Sequence, residues 1–223
     1  MGKTFEEKLD FLRQCETGYV TDALNLLKIG NCWVEGVAPA RTDIPTVVGV
    51  AYTSELVLER EPKEQINVYE VVDRCPKGHV LVWAGFGKAL VLGENLMTRA
   101  SNKGLGGVVA DAKCRDIKGI RKLPMVVFSE GFSTKLQPTY LKINFKLEQP
   151  VSLNGATIHT GDVVVGDDDG VVVIPREKFD DVFHQIEMIA EVENEVSAAN
   201  REKPDMPVKD FIKLVSKKKN LRQ

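Results

Sequence analysis

The chain has 223 residues, 43% of them hydrophobic, with 30 basic against 32 acidic side chains and a formal net charge of −2. A chain of this length buries roughly 70% of its unfolded surface, which suits one domain, or one domain with appended helices. The near balance of charge excludes a global field favouring nucleic acid or an anionic membrane surface, and no apolar run approaches the ~20 residues that cross a bilayer.

The first residues, Met1 to Lys8, are too charged for a signal peptide, so a cytoplasmic location is expected. Leu9, Phe11, Leu12 and Cys15 line a first helix, and Val20, Ala23, Leu24 and Leu27 repeat the helical spacing until Gly30 stops it. Val47 to Leu58 reads as a strand, Glu64 to Val72 as a helix closed by Pro76-Lys77-Gly78, and His79 to Trp83 as a buried strand. Gly93 opens a helix, Gly104-Leu105-Gly106-Gly107 closes it, and Val108 to Ala110 is a further short strand. The signals then become strands: Met125–Phe128, Tyr140–Phe145, Val151–Leu153, Thr157-Ile158, Val163–Val165 and Val171–Ile174, separated by Asn154-Gly155, Thr160-Gly161-Asp162 and Asp167-Asp168-Asp169-Gly170. After Pro175 an apolar stripe from Phe179 to Val196 marks a long helix over Glu177–Ala199. Pro204 and Pro207 break it, Val208–Val215 forms a small terminal helix, and Lys217-Lys218-Lys219 begins a frayed, solvated tail. The four cysteines, Cys15, Cys32, Cys75 and Cys114, lie far apart without a C-x-x-C pair, and read as buried, inert thiols.

Residues 93 to 116 carry the chemistry. A helix fronted by Gly93 exposes backbone N–H groups and the positive end of a helix dipole, which suits an anion such as a carboxylate. Arg115 supplies a rigid fork of donors for a carboxylate or enolate oxygen, and Asp116 is a hard oxygen ligand for a divalent cation of the magnesium type. Anion and metal together point to an oxo-acid. The plainer reading makes Asp116 a cap for a helical turn starting at Ile117, with Arg115 as its surface ion-pair partner. Lys113 reads as a solvated strand-end lysine rather than a Schiff-base former, and Asp167–Gly170 as a hairpin turn, since it lacks the alternating ligands of a calcium loop. His79, His159 and His184 form no metal-binding pair.

Glu94, twenty intervening residues, then Arg115-Asp116, preceded by a Gly-Val-Val-x-Asp run, resembles the acid-x20-Arg-Asp signature of the RraA-like proteins, which include class II pyruvate aldolases acting on 4-hydroxy-4-methyl-2-oxoglutarate and 4-carboxy-4-hydroxy-2-oxoadipate. Val20–Leu24, Val48–Thr53 and Gly161–Pro175 are similar to further blocks of the family in family order, so the resemblance covers roughly residues 8 to 195. It implies an α/β fold, the swivelling β/β/α single domain of that family, with flanking N- and C-terminal helices. The expected boundaries are an RraA-like aldolase domain over residues 1–200 and a C-terminal helix and basic tail over 201–223. It also implies a homotrimer or homohexamer with sites between subunits.

Carried over by position, the resemblance makes Asp116 the direct protein ligand of Mg2+ or Mn2+ and sets Arg115 against the keto or enolate oxygen. The turn at Gly93, with the amides of Glu94, Asn95 and Leu96, would receive the substrate carboxylate. Glu94 would hold metal-bound water or help to move protons. A glutamate from a neighbour's C-terminal helix belongs to the same pattern; Glu191, Glu193 and Glu195 compete for it, with Glu193 chosen. Family members often carry an acid at the position of Gly119, so this chain departs from the pattern there. The implied reaction is metal-dependent retro-aldol cleavage of a 4-hydroxy-2-oxo acid to pyruvate, with oxaloacetate decarboxylation as a side activity because both release the same enolate. The implied partner is thus a small 2-oxo acid, with no nucleic acid and no membrane. The alternative within the family is a non-catalytic regulator of ribonuclease E acting by protein–protein binding. A methyltransferase reading is rejected because no strand leads into a glycine-rich S-adenosylmethionine loop.

Overall fold

The computed structural model of the chain describes residues 2–58, 64–85, 91–135 and 143–222. Helices α1 (Phe5–Leu12) and α2 (Thr17–Leu26) come first, then strands β1 (Trp33–Val34), β2 (Ala38–Pro39) and β3 (Val47–Leu58). The middle of the chain contains α3 (Val68–Arg74), β4 (Val80–Ala84), β5 (Val91–Leu92), α4 (Glu94–Lys103), β6 (Gly107–Ala110), β7 (Lys113–Cys114), α5 (Ile117–Ile120) and β8 (Val126–Ser129). Strands β9 (Ile143–Leu147), β10 (Val151–Leu153), β11 (Ala156–Ile158), β12 (Val163–Asp167) and β13 (Gly170–Ile174) follow, and α6 (Phe179–Glu202) and α7 (Val208–Val215) end the fold.

The main sheet runs β1-β13-β12-β3-β4-β6-β8-β2, with β9 also paired to β3. Strands β3, β4, β6 and β8 are mutually parallel neighbours, whereas β12, β13 and β9 join antiparallel. Parallel strands are covered on both faces and therefore read as continuous apolar runs. Alternate residues show why. Val80, Val82 and Ala84 of β4 face one core, shared with Val109, Phe128, Val164 and Leu153, while Leu81 and Trp83 face a second, built with Val72, Met97 and Phe145. Along β12 and β13 the period-2 alternation instead divides Val164 and Val173 from Val163, Val165, Val172 and Ile174. The latter pack against Leu12, Leu24, Phe179, Phe183 and Ile186 of α1, α2 and α6. One core thus lies between the main sheet and the β10–β11 hairpin, one beneath α3 and α4, and one beneath α1, α2 and α6.

Strand β3 spans the expected residues. The helix expected from Glu64 begins instead at Val68, where Asn67 accepts from the amides of Tyr69 and Glu70 and the Glu70 side chain accepts from the Asn67 amide, a reciprocal cap. Upstream, Asn144 of β9 holds the chain out of helix: its Oδ1 accepts from the Ile66 amide at 2.8 Å and its Nδ2 donates to the Glu64 carbonyl at 3.0 Å. The expected strand from Tyr140 begins within residues that lie outside those described, and is observed from Ile143. Two-residue strands β1, β2, β5 and β7 carry too little periodicity to be read from sequence.

The Asp167–Gly170 turn is a hairpin, with Asp167 opposite Gly170 in register. Asp167 also reaches beyond its own turn. Its carboxylate accepts from the amide and hydroxyl of Thr17, at 2.7 and 2.9 Å, and from the Asp169 amide at 3.0 Å. It therefore caps α2 from 150 residues away, where the Glu16 side chain provides no cap. The lysine run is no frayed tail. Lys217 pairs with Glu195, Lys218 pairs with Glu193 and Asp22, and Leu221 packs against the α2/α6 core from a final 3-10 turn at Lys218–Arg222. Among the described residues no helix is long and apolar enough to cross a membrane.

Candidate active site

The parallel strands β4, β6 and β8 deliver their C-terminal ends to one side, the edge at which open α/β sheets bind ligands. The loops there are sewn together by main-chain bonds. Asp111 donates its amide to the Trp83 carbonyl at 3.3 Å, and its carboxylate accepts from the Gly85 amide at 2.9 Å. Strand β7 then pairs parallel with β5, and on its other side Cys114 exchanges bonds with Gly131 and Ser133. The Arg115 amide donates to the Leu92 carbonyl at 2.9 Å, so Arg115 and the start of α4 are locked into a common frame.

At that start, Gly93 is the N-cap of α4 and no side chain caps it. The α-helical pattern leaves the amides of Glu94, Asn95 and Leu96 without intrahelical acceptors. A Cβ on Gly93 would come within 3.3 Å of both Arg115 Nε and Asp116 Oδ2. Three features therefore meet at one point: uncapped amides, a guanidinium and a carboxylate. At its other end α4 closes on Gly104 in the left-handed region, φ 81°, as the glycine turn requires.

Asp116 adopts a left-handed backbone, φ 60° and ψ 37°, an uncommon state for a residue with a side chain and one that concentrates at functional sites. It precedes α5 as the N-cap residue, yet its side chain makes no capping bond. The capping half of the plainer reading is therefore not observed, whereas its ion-pair half is. Arg115 Nε lies 3.6 Å from Asp116 Oδ2, a loose ion pair with both side chains about half exposed (42% and 50%). The carboxylate is therefore open to a further cation. Glu94, in the first turn of α4, lies across Gly119 of α5, and a Cβ at 119 would overlap its carboxyl carbon and both oxygens. The resemblance puts an acid at position 119; this fold fills that space with the Glu94 carboxylate.

Glu193 stands elsewhere in the chain. It lines a cavity of about 690 Å³ with Asp22, Tyr19, Trp33, Asp169 and Lys218, and Glu94, Arg115 and Asp116 are absent from its lining. Partial burial disfavours the Lys218 ammonium, but its hydrogen bonds to Asp22 and Glu193 outweigh that cost and leave its pKa raised. Asp22 sits mid-helix in α2, where helical spacing gives no sign of a partner near the C-terminus. Lys113 is exposed, as are His159 and His184. Among the described residues no three His, Cys, Asp or Glu side chains form a metal-holding group. A cation here would have Asp116 as its main protein ligand, which suits magnesium, an ion that keeps several waters. The four cysteines are free and buried, and burial raises each thiol: Cys15 and Cys32 to about 11, Cys75 to about 12 and Cys114 in the same direction.

These features define an α/β protein with an uncapped helix start beside an Arg-Asp pair. The chain matches the model of the RraA-like family, Aldolase/RraA, over residues 17–173, and belongs to that family. It is 29% identical over 205 residues to protein DlpA of Legionella pneumophila, covering 88% of this chain but only 32% of that protein, so it spans about a third of that relative's length. It is 25% identical to a Halalkalibacterium halodurans protein provisionally named a 4-hydroxy-4-methyl-2-oxoglutarate aldolase, with 81% of this chain and 83% of that protein covered. Among solved structures, an uncharacterised Pseudomonas syringae protein superposes with TM-score 0.78 at 22% identity, covering 95% of this chain and 99% of that one. RraAS2 of Streptomyces coelicolor, described as an unusual member of the RNase ES inhibitor RraA family, superposes with TM-score 0.75 at 24% identity over 91% and 100% of the two chains. At these identities the structural likenesses establish the fold.

Proposed function

We propose that the chain is a divalent-metal-dependent pyruvate aldolase that cleaves a 4-hydroxy-2-oxo acid, with oxaloacetate decarboxylation as a side activity. The observation that carries the reading is the convergence at Gly93, where a Cβ would come within 3.3 Å of both Arg115 Nε and Asp116 Oδ2 beside uncapped helix amides. The aldolase names of relatives at 25–28% identity support the reaction class.

In the proposed reaction a base takes the proton of the C4 hydroxyl, the freed O–H electron pair forms the C4 carbonyl of the second product, the C3–C4 bond breaks, and the electron pair of that bond passes to C3 and the C2 oxygen as the enolate of pyruvate. Protonation at C3 completes the product. Asp116 would hold Mg2+ or Mn2+, which as a Lewis acid supplies positive charge to the α-keto acid end of the substrate. The amides of Glu94, Asn95 and Leu96 orient the carboxylate, using the helix start as an anion site. Arg115 faces the developing oxyanion with a fixed charge that costs no reorganisation during the reaction. Glu94 would accept or return a proton at its carboxylate oxygens. Glu193 would act in a neighbour's site within a trimer or hexamer.

The test is a coupled assay for pyruvate release from a panel of 4-hydroxy-2-oxo acids and oxaloacetate, with and without Mg2+ or Mn2+. Metal-dependent release from at least one of them supports the aldolase; silence across the panel, together with binding to ribonuclease E, favours the regulatory alternative.

A further inference from the structure

Gly119 lies in α5 with no left-handed backbone requirement, a position where alanine is the better helix former. Backbone freedom therefore does not account for a glycine there. Its neighbour does: a Cβ at 119 would overlap the carboxyl carbon and both oxygens of Glu94. That carboxylate has no ion-pair partner among the described residues. The start of α4 and the first turn of α5 are both fixed to the same frame, through the Arg115–Leu92 main-chain bond and the Gly119 amide, which donates to the Asp116 carbonyl at 3.0 Å.

We infer that Gly119 is a positioning residue: its missing side chain forms the seat that keeps the Glu94 carboxylate over α5, the helix that follows Asp116. Shape rather than a hydrogen bond holds the acid in place. A side chain at 119 acts on the site through Glu94, because the end of a flexible glutamate yields more readily than helix backbone. The inference rests on the proposed metal-dependent reading, in which the Glu94 carboxylate orders water around the cation or moves the substrate proton.

The experiment compares wild type, Gly119→Ala, Glu94→Ala and the double variant for pyruvate release, for Mn2+ affinity by electron paramagnetic resonance, and for Tm. The expected result is that Gly119→Ala folds with a Tm equal to or above wild type. Its turnover or Mn2+ affinity falls roughly 10–100-fold, the usual effect of losing an outer partner of a metal site. The double variant is no worse than Glu94→Ala alone, because the carboxylate that the methyl group would displace is already gone. Wild-type turnover and Mn2+ affinity in Gly119→Ala would overturn the inference. So would losses that multiply in the double variant, or a Tm that falls together with activity whether or not Glu94 is present. A wild-type protein that neither binds Mn2+ nor releases pyruvate would instead sink the aldolase reading, and the positioning role with it.

Discussion

Lys218, from the C-terminal 3-10 turn, pairs with Glu193 on α6 inside the chain, and the same ammonium donates to Asp22 on α2 at 2.8 Å. Crowded carboxylates along one helix repel unless cations compensate, and here the lysine tail compensates Glu193 and Glu195. The tail is therefore a structural component of the α2/α6 face. Lys218→Ala should expose the segment after Ser216, read as faster tryptic cleavage at Lys217 and Lys219, with a stability loss of about 1 kcal/mol for a part-buried ion pair. Cleavage at the wild-type rate would show that the pairing does not hold the tail.

The shared-site proposal requires that Glu193 serve a neighbouring subunit. Co-assembled Asp116→Ala and Glu193→Ala subunits, each inactive alone, should recover part of the pyruvate release through hybrid sites with both groups intact. An active monomer, or full activity in each of Glu191→Ala, Glu193→Ala and Glu195→Ala, would rule it out.

Arg115→Ala should keep Mn2+ affinity yet lose on the order of 10²–10³ in kcat, as when an oxyanion donor is removed. Arg115→Lys should remain poor, because a point charge does not reproduce the planar fork. Near-normal turnover in Arg115→Ala would remove the guanidinium from the chemistry.

Asp167→Ala should cost about 1–3 kcal/mol, since it removes three accepted hydrogen bonds and strands the Thr17 donors at the start of α2. Urea unfolding monitored by circular dichroism reads this directly, and a shift under a few tenths of a kcal/mol would deny the long-range cap.

The buried thiols set a pH limit. Burial raises Cys15 and Cys32 to about 11 and Cys75 to about 12, above the value of about 8.5 in an unfolded chain. Between those values the unfolded state has lost thiol protons that the native state keeps, so stability decreases as pH rises. The contribution is complete below about pH 8.5 and is lost as pH climbs through 11 to 12. Ellman's reagent at pH 8 should leave the native protein unmodified and titrate the thiols after unfolding; rapid native reaction would contradict this.

Much of the fold was legible because its signals are local. Val47–Leu58, the Gly93 helix start and the Asn154-Gly155 hairpin each carry their own periodicity or turn chemistry. Arg115 and Asp116 could be singled out by residue type, as a fork of donors and a hard oxygen ligand, and Glu94 by the resemblance, at the acidic position of the acid-x20-Arg-Asp pattern. What could not be read depends on partners distant in the chain. Asn144 delays α3, Asp167 caps α2, and Lys218 finds Asp22 across 196 residues. The fit of Glu94 over Gly119 joins two helices whose relative placement no spacing rule encodes. The start of α3 does carry a local signal, since Asn67 and Glu70 stand at capping-box spacing.

The proposal that Asp116 holds a catalytic cation for pyruvate release is tested most directly by measuring pyruvate formation and Mn2+ binding together in wild type and Asp116→Ala, each after EDTA treatment and after metal is restored. Wild type should lose turnover with EDTA and regain it with Mg2+ or Mn2+, whereas Asp116→Ala should bind Mn2+ weakly and stay inactive throughout. Turnover that survives EDTA, or an Asp116→Ala variant that releases pyruvate at the wild-type rate, would contradict it.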